Sequence, residues 1–257
     1  MYYIVFDLEF NQDQPIAQED ATGSDAVVPA KRMPFEIVQF GALKLDSSFH
    51  TAGTFSRFVK PTLYTAVSPF ITELTGIRTE QLAAEADFPA VYEDFIQFIG
   101  KDEAILCVWG KSDIKELHRN ADYHDLNQRR LPRRYLNIQP HASLHLGIPR
   151  TKLLRLKYTV EALGIPLAHE FHDAYHDAYY TAEILKRIYH PSMEIDIYEP
   201  QLAFSFSRPR IPKKVPDFEQ LIRQFEKMFD RTMTEEEQKM IKLSYQMGKT
   251  RQFLKEI

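Results

Sequence analysis

The sequence predicts a mixed α/β fold. Three observations carry the prediction: two-residue alternation of apolar side chains near the N-terminus, a short continuous apolar run at Ala104–Trp109, and 3.6-residue periodicity further on. Strands that come first and then alternate with helices are the pattern of a mixed sheet covered by helices.

Tyr2 to Phe10 is the first expected strand. Ile4, Phe6, Leu8 and Phe10 fall on one face, and Val5, Asp7 and Glu9 on the other. Residues 11–34 are polar and read as a long loop or insertion. Glu36–Asp46 and Thr54–Lys60 are two more strands, and the short polar gap between them favours antiparallel pairing. Val91, Phe95, Phe98 and Ile99 make a helical stripe, with Pro89 near its start. Ala104–Trp109 reads as a strand buried on both faces. Ser112 is placed to cap a helix running to about Tyr123. Tyr135–Gln139 is a fifth strand, and helices follow at about 156–163 and 172–189. Phe204–Pro216, rich in proline and basic residues, reads as a linker. Beyond it Phe218, Leu221, Ile222, Phe225 and Phe229 form an amphipathic stripe, and Thr234 with Glu237 offers a capping box for a last helix.

The composition is that of an ordinary globular chain, with 44% hydrophobic and 26% charged residues. No run of about 18 apolar residues suggests a membrane span, and the first residues do not read as a secretory signal. The single cysteine, Cys107, forms no internal disulfide, which suits a reducing, cytoplasmic setting, and its apolar neighbours mark it as a core residue. The net charge of −4 is unevenly spread. Eight acids and two bases lie between Glu73 and Glu103, against nine bases and two acids between Arg119 and Lys157. A second basic knot spans 208–214. Such asymmetry fits either a one-sided footprint for a polyanion or separately solvated charges.

Three local patterns carry chemistry. In Asp7-Leu-Glu9, strand periodicity sends both carboxylates to one face, with Cβ atoms roughly 7 Å apart. Two acids among apolar neighbours call for a cation, and hard oxygen ligands suit Mg²⁺ or Mn²⁺; alone, the pair reads better as a solvated strand face. In Trp109-Gly-Lys-Ser-Asp113 an apolar strand ends and an acid opens a helix, where Asp113 either joins a site or complements the helix dipole. In His172-Asp-Ala-Tyr-His-Asp177 the two end residues are five apart. Five steps turn about 500°, or 140° net, so both reach one site only if His172 precedes the helix. An imidazole beside a metal-binding carboxylate suits proton abstraction from water. His141 and His145 have zinc-like spacing without a third ligand and read as surface or packing residues.

Taken together, Asp7-Leu-Glu9, Asp113 and His172-Asp-Ala174-Tyr-His-Asp177 resemble the DEDDh exonuclease superfamily. Glu36-Ile-Val-Gln-Phe-Gly-Ala42, Phe58-Val-Lys-Pro61 and Leu74-Thr-Gly-Ile77 are similar to its intervening stretches. Phe6-Asp-Leu-Glu and Trp109-Gly-Lys-Ser-Asp resemble the ERI-1-like branch in particular, which includes RNA-trimming enzymes. The resemblance covers about Tyr2 to Tyr189. It implies an RNase H-like fold, a mixed five-stranded sheet flanked by helices, with an exonuclease domain over 1–190 and a linker plus C-terminal helical extension over 191–257.

The function so implied is a 3′→5′ exonuclease that releases nucleoside 5′-monophosphates from single-stranded ends, RNA slightly favoured. A DNA exonuclease in repair and a non-catalytic nucleic-acid-binding or adaptor module on the same fold are the rival expectations. The resemblance further implies two Mg²⁺ or Mn²⁺ ions held by Asp7, Glu9, Asp113 and Asp177, with His172 as general base. Phe10, Leu74, Thr75, Gly76 and Ile77 would hold the terminal nucleotide, an apolar side chain stacking on its base. The implied partner is an RNA or DNA 3′ end; the apolar stripe of the C-terminal helices reads as packing first, with a docked protein as the alternative. The insertion at 11–34 is longer and more acidic than the family pattern, and the part after about His190 matches nothing in it.

Overall fold

The computed structural model describes residues 1–12, 33–199 and 216–249. Most of the insertion and the linker therefore lie outside the described residues. Strands β1 (Tyr2–Gln12), β2 (Phe35–Leu45), β3 (Thr51–Phe58), β4 (Ala104–Val108), β5 (Arg134–Asn137) and β6 (Asp196–Ile197) form one sheet in the order β3-β2-β1-β4-β5-β6. The pairs β1–β2, β2–β3 and β5–β6 are antiparallel, whereas β1–β4 and β4–β5 are parallel.

Among the described residues the sheet thus has six strands where the sequence led us to expect five. The sixth is two residues long, too short to leave a periodic signal. It comes from the stretch assigned above to the linker. Tyr198 beside it is 8% exposed and packs into the core. The chain divides into a unit Met1–Ser205 and a unit Phe206–Ile257, so the stretch just after residue 190 belongs with the sheet.

Two cores cover the sheet. Ile4, Phe6 and Leu8 of β1 meet α3 (Phe88–Ile99) and α4 (Ser112–Tyr123), where Phe95, Tyr92 and Leu117 are fully buried. Truncating a side chain such as Phe95 to alanine would cost about 3–5 kcal/mol. Tyr3 and Val5 face the other way, against α5 (Ile138–His145), α6 (Leu156–Ala162) and α7 (Ala174–Ile188). Every residue of β4 is buried, as the continuous apolar run requires. Cys107 lies among them, and burial pushes its thiol pKa up.

The stretch around Leu74–Ile77 contains two short helices, α1 (Pro69–Thr75) and α2 (Thr79–Leu82). Ser68 caps α1, and Gly76 ends it in the left-handed conformation at φ 74°. Ser112 is the first residue of α4 rather than its cap; Lys111 holds the cap position and contributes no side-chain bond.

The second unit contains α8 (Phe218–Phe229) and α9 (Glu235–Lys249). The capping box forms as expected. The Glu237 N–H donates to Thr234 Oγ1 (3.3 Å) and the Thr234 N–H to Glu237 Oε2 (2.9 Å). Met233 is buried, while Met228, Phe229, Met240 and Leu243 stay more than half exposed.

Candidate active site

β1 passes beyond its pairing with β4, which ends at Val5–Cys107, and carries Asp7 and Glu9 past the sheet's parallel half. Both side chains stand on the face that α7 covers. Their cross-strand partners on β2 are Gly41 for Asp7 and Gln39 for Glu9. These two β2 residues receive the start of α7. A Cβ on Gly41 would lie 2.1 Å from the Ala174 carbonyl carbon and the Tyr175 nitrogen, so only glycine admits the helix here. Gln39, 2% exposed, donates from Nε2 to Asp173 Oδ2 (2.7 Å) and accepts from the Ala174 N–H (3.2 Å). The other Asp173 oxygen caps the helix, accepting from Tyr175 and His176 N–H at 3.0 Å each.

This fork sets the geometry of the motif. α7 begins at Ala174, and His172 sits ahead of it at φ 67°. A left-handed residue other than glycine costs about 1–2 kcal/mol. The strained turn solves the phase problem of the five-residue spacing. It lets the His172 N–H donate to Asp177 Oδ2 (3.2 Å) and keeps the imidazole beside the carboxylate. Ligand atoms of Glu9, His172 and Asp177 all lie within 4.8 Å of one another.

Asp113 arrives from the first turn of α4 at the end of β4. It is 5% exposed and accepts from its own N–H and that of Leu8. Asp7 feels the like charges of Asp113, Asp177, Glu9 and Asp173, which places all five acids around one space. Burial, then mutual repulsion, pushes the pKa values of Asp7, Glu9, Asp113 and Asp177 up. Asp7 lies well above the usual carboxylate range, Glu9 is pushed to about 8, Asp113 to about 7 and Asp177 to about 6. For Asp113 and Asp177, hydrogen bonds from backbone N–H groups work against the rise.

Such a cluster needs positive charge in its middle. Asp177 Oδ1 is buried without a hydrogen-bond partner, and the residue is 9% exposed. The donor set is oxygen-rich, so the residues present fit hard divalent ions.

Phe10 is partly buried and packs on Phe35, with ring centroids 6.0 Å apart. The register of β1 against β2 shifts between Glu9 and Phe10. Asn11 ties the end of β1 to the approach of α1, donating to the carbonyls of Tyr64 and Ala66 and accepting from the Ser68 N–H. Leu74 is 41% exposed at the end of α1, and Thr75 Oγ1 accepts from the Ile77 N–H. Ile77 is buried at 3% exposure among Val38, Val67, Ile71 and Leu82, so its side chain is structural. Of Leu74 and Ile77, only Leu74 presents exposed apolar surface.

Sequence reasoning missed Gln39, Gly41 and the part played by Asp173. A glycine inside a strand is a signal of close backbone approach. The partner of Gln39 lies 134 residues away and left no trace in the sequence. His176 stacks on His169 at 4.4 Å and is not one of the Glu9–His172–Asp177 group, and among the described residues no candidate metal group includes His141 or His145.

A mixed RNase H-like sheet with acids from β1, α4 and α7 and a histidine at the helix entry defines the class, that of the DEDDh exonucleases. The chain belongs to the Exonuclease family, RNase_T, whose profile its residues 4–185 match. It is similar to ERI1 exoribonuclease 3 of Bos taurus and Homo sapiens, 25% identical over 178 residues that make up 65% of this chain and 47% of each relative. It is also similar to 3'-5' exoribonuclease 1 of Rattus norvegicus, 25% identical over 174 residues, 64% of this chain and 50% of that one. The chain thus spans about half the length of the curated relatives it matches.

Among solved structures, the fold is that of the nuclease domain of 3'hExo, a DEDDh family member bound to rAMP. The TM-score is 0.61 at 22% identity, over 77% of this chain and 96% of that one. E. coli Exonuclease I in complex with a dT13 oligonucleotide shares it at a TM-score of 0.55 and 17% identity, over 73% and 40%. Among the described residues no helix is long and apolar enough to cross a membrane.

Proposed function

We propose that this chain is a metal-dependent 3′→5′ exonuclease that releases nucleoside 5′-monophosphates from single-stranded ends, RNA favoured over DNA. The observation that carries the reading is the meeting of Glu9, His172 and Asp177 within 4.8 Å, from segments far apart in the chain, around a carboxylate oxygen with no partner. Asp7, Glu9, Asp113 and Asp177 hold the ions, Mg²⁺ or Mn²⁺. Bound divalent cations supply charge neutralisation at the scissile phosphate and a more acidic water. His172, exposed at the helix entry, takes the proton from the attacking water. Asp177 and the Gln39–Asp173 fork hold that imidazole's backbone in place. Phe10 and the Leu74–Ile77 stretch bind the terminal nucleotide, with Leu74 against the base.

Two further features support a nucleic-acid substrate. Lys152, Arg155 and Lys157 are exposed, and Gln139 bonds the Leu154 carbonyl while its Oε1 lies beside Gly110, three residues before Asp113. The basic run therefore flanks the strand ends that bear the site, where a phosphate backbone would gain most. The preference for RNA rests on the names of the relatives, which are called exoribonucleases. The lone buried cysteine suits a cytoplasmic setting, and the exposed apolar side chains of α8 and α9 suit a docked protein partner.

The test is a timed digestion of 3′-labelled and 5′-labelled RNA and DNA single strands, with and without added Mg²⁺, by the wild-type chain and by Asp7→Ala. Nucleotides should leave one at a time from the 3′ end, faster from RNA, only with metal, and not with the variant. Undiminished hydrolysis by Asp7→Ala would remove the metal-site assignment.

A further inference from the structure

The fold divides the basic stretch that the sequence concentrates between Arg119 and Lys157. Its later part flanks the strand ends that bear the acids. Its earlier part, Arg129 to Arg134, lies at the opposite end of the sheet, where β4 starts at Ala104 and β5 at Arg134. A cavity of about 740 Å³ opens there, within the usual range of small-molecule pockets. Ala104 pairs with Tyr2, and the strand from Tyr2 to Asp7 is about 16 Å long, so the cavity is separate from the acidic cluster. Ile96, Ile99, Leu131 and Ala104 are buried and give it an apolar floor. Arg130, Arg133 and Arg134 stand exposed at its rim, with the carboxylates of Asp102 and Glu103 beside them.

Each guanidinium meets a carboxylate through one nitrogen: Arg130 with Glu93 and Arg133 with Glu199 at 2.5 Å each, and Arg134 with Glu103. Arg133 is further anchored, its Nε donating to the Tyr198 carbonyl (3.4 Å). A guanidinium carries five N–H donors, and exposed ion pairs of this kind contribute little, so donors of Arg130 and Arg134 remain open to a ligand. The mixture selects among ligands. A bare anion would meet Asp102 and Glu103 as well as the arginines, and an apolar molecule would leave the guanidiniums unused. A nucleotide has a phosphate for guanidinium donors, a flat ring for an aliphatic floor and an arginine plane, and hydroxyl and amino donors for carboxylates. We propose that this cavity is a second, metal-independent nucleotide site, which takes a nucleoside 5′-monophosphate with its phosphate on the rim arginines. Binding here does not depend on what the acidic cluster does. If that cluster is the exonuclease centre, its product is a ligand of this class.

The test reads binding without turnover. The full chain is held in a chelator, which disarms a metal centre, and equilibrium dialysis follows labelled adenosine 5′-monophosphate. Wild type should bind one equivalent saturably. The double variant Arg130→Gln/Arg134→Gln should weaken binding about 10–100-fold, the usual worth of hydrogen bonds to a charged group. Both side chains are on the surface, so its melting temperature should stay near that of wild type. Asp7→Ala should bind the nucleotide as wild type does. Adenosine and inorganic phosphate, tested separately, should each bind at least about tenfold more weakly than the intact nucleotide, because each lacks one of the contacts. No saturable binding by wild type would overturn the proposal, and so would undiminished affinity in the double variant. Loss of binding in Asp7→Ala would place the nucleotide at the acidic cluster and overturn it as well. Inorganic phosphate that binds as tightly as the nucleotide would mean a plain anion site and sink the nucleotide assignment. A chain that binds the nucleotide in chelator yet digests no nucleic acid with Mg²⁺ would refute the hydrolytic reading and leave the cavity site standing.

Discussion

Gln39 does at the scale of one residue what five acids in one pocket make difficult, which is to hold a sixth polar group close without adding charge. Its amide donates to Asp173 and accepts from the backbone of Ala174, so both of its functional ends are used. Gln39→Leu keeps the bulk and removes both bonds. It should cost about 1–3 kcal/mol, the usual penalty of leaving buried partners unsatisfied, measured by urea unfolding. Turnover should fall more than substrate binding weakens, because the residue touches the His172 turn and not the substrate. Gln39→Glu would place another carboxylate against Asp173 and should unfold more easily at pH 8 than at pH 5. At this scale the catalytic candidates were legible, because Asp-x-Glu and His-x-Ala-x-x-Asp are local patterns. Gln39 was not, since its role is defined only once β2 and α7 have met.

At the scale of elements, the site is a consequence of one close approach. Opposite Asp7 the sheet offers Gly41, and the first turn of α7 lies in the space a side chain would have filled. Gly41→Ala should displace α7 relative to β1 and cost about 1–3 kcal/mol by overpacking, or more if the helix cannot shift. Activity should fall by a larger factor than the loss of stability explains, because Asp177 and His172 move together away from Glu9. Denaturant unfolding alongside a digestion assay checks both parts. Strands β1 to β5 and helices α3, α4, α6 and α7 were anticipated from apolar patterning. α1, α2 and β6 were not. Their placement depends on contacts such as Ile71 and Ile77 against Val38 and β6 against β5. The burial of Ile77 in particular cannot be inferred from its position beside a glycine.

For the molecule as a whole, the acidic pocket makes stability depend on pH and on metal. The folded pKa values of Glu9, Asp113 and Asp177 stand at about 8, 7 and 6, above their ordinary values of 4.5, 3.8 and 3.8. A folded state that holds more protons than the unfolded one loses stability as pH rises. The contribution is therefore complete below the ordinary carboxylate range and lost progressively as pH climbs through 6, 7 and 8. With a chelator present, the melting temperature should fall between pH 5 and pH 8. Mg²⁺ or Mn²⁺ should restore it at pH 8 and do little at pH 5, because binding to the folded state alone adds stability. Asp7→Asn, which removes one of the crowded charges, should flatten the metal-free profile. A melting temperature that rises steadily to pH 8 in chelator would contradict the arrangement.

The two margins of the sheet differ in what they offer to a stray chain. β6 closes one side with a pair of residues, leaving almost no unpaired ladder there. β3, eight residues long, is the open margin, and Thr51, Thr54, Ser56 and Arg57 on it face solvent. Polar and charged groups on an outermost strand discourage intermolecular pairing. Aggregation by sheet extension, if the chain is stressed, would therefore start along β3, and replacing Arg57 with an apolar residue is the change most apt to promote it.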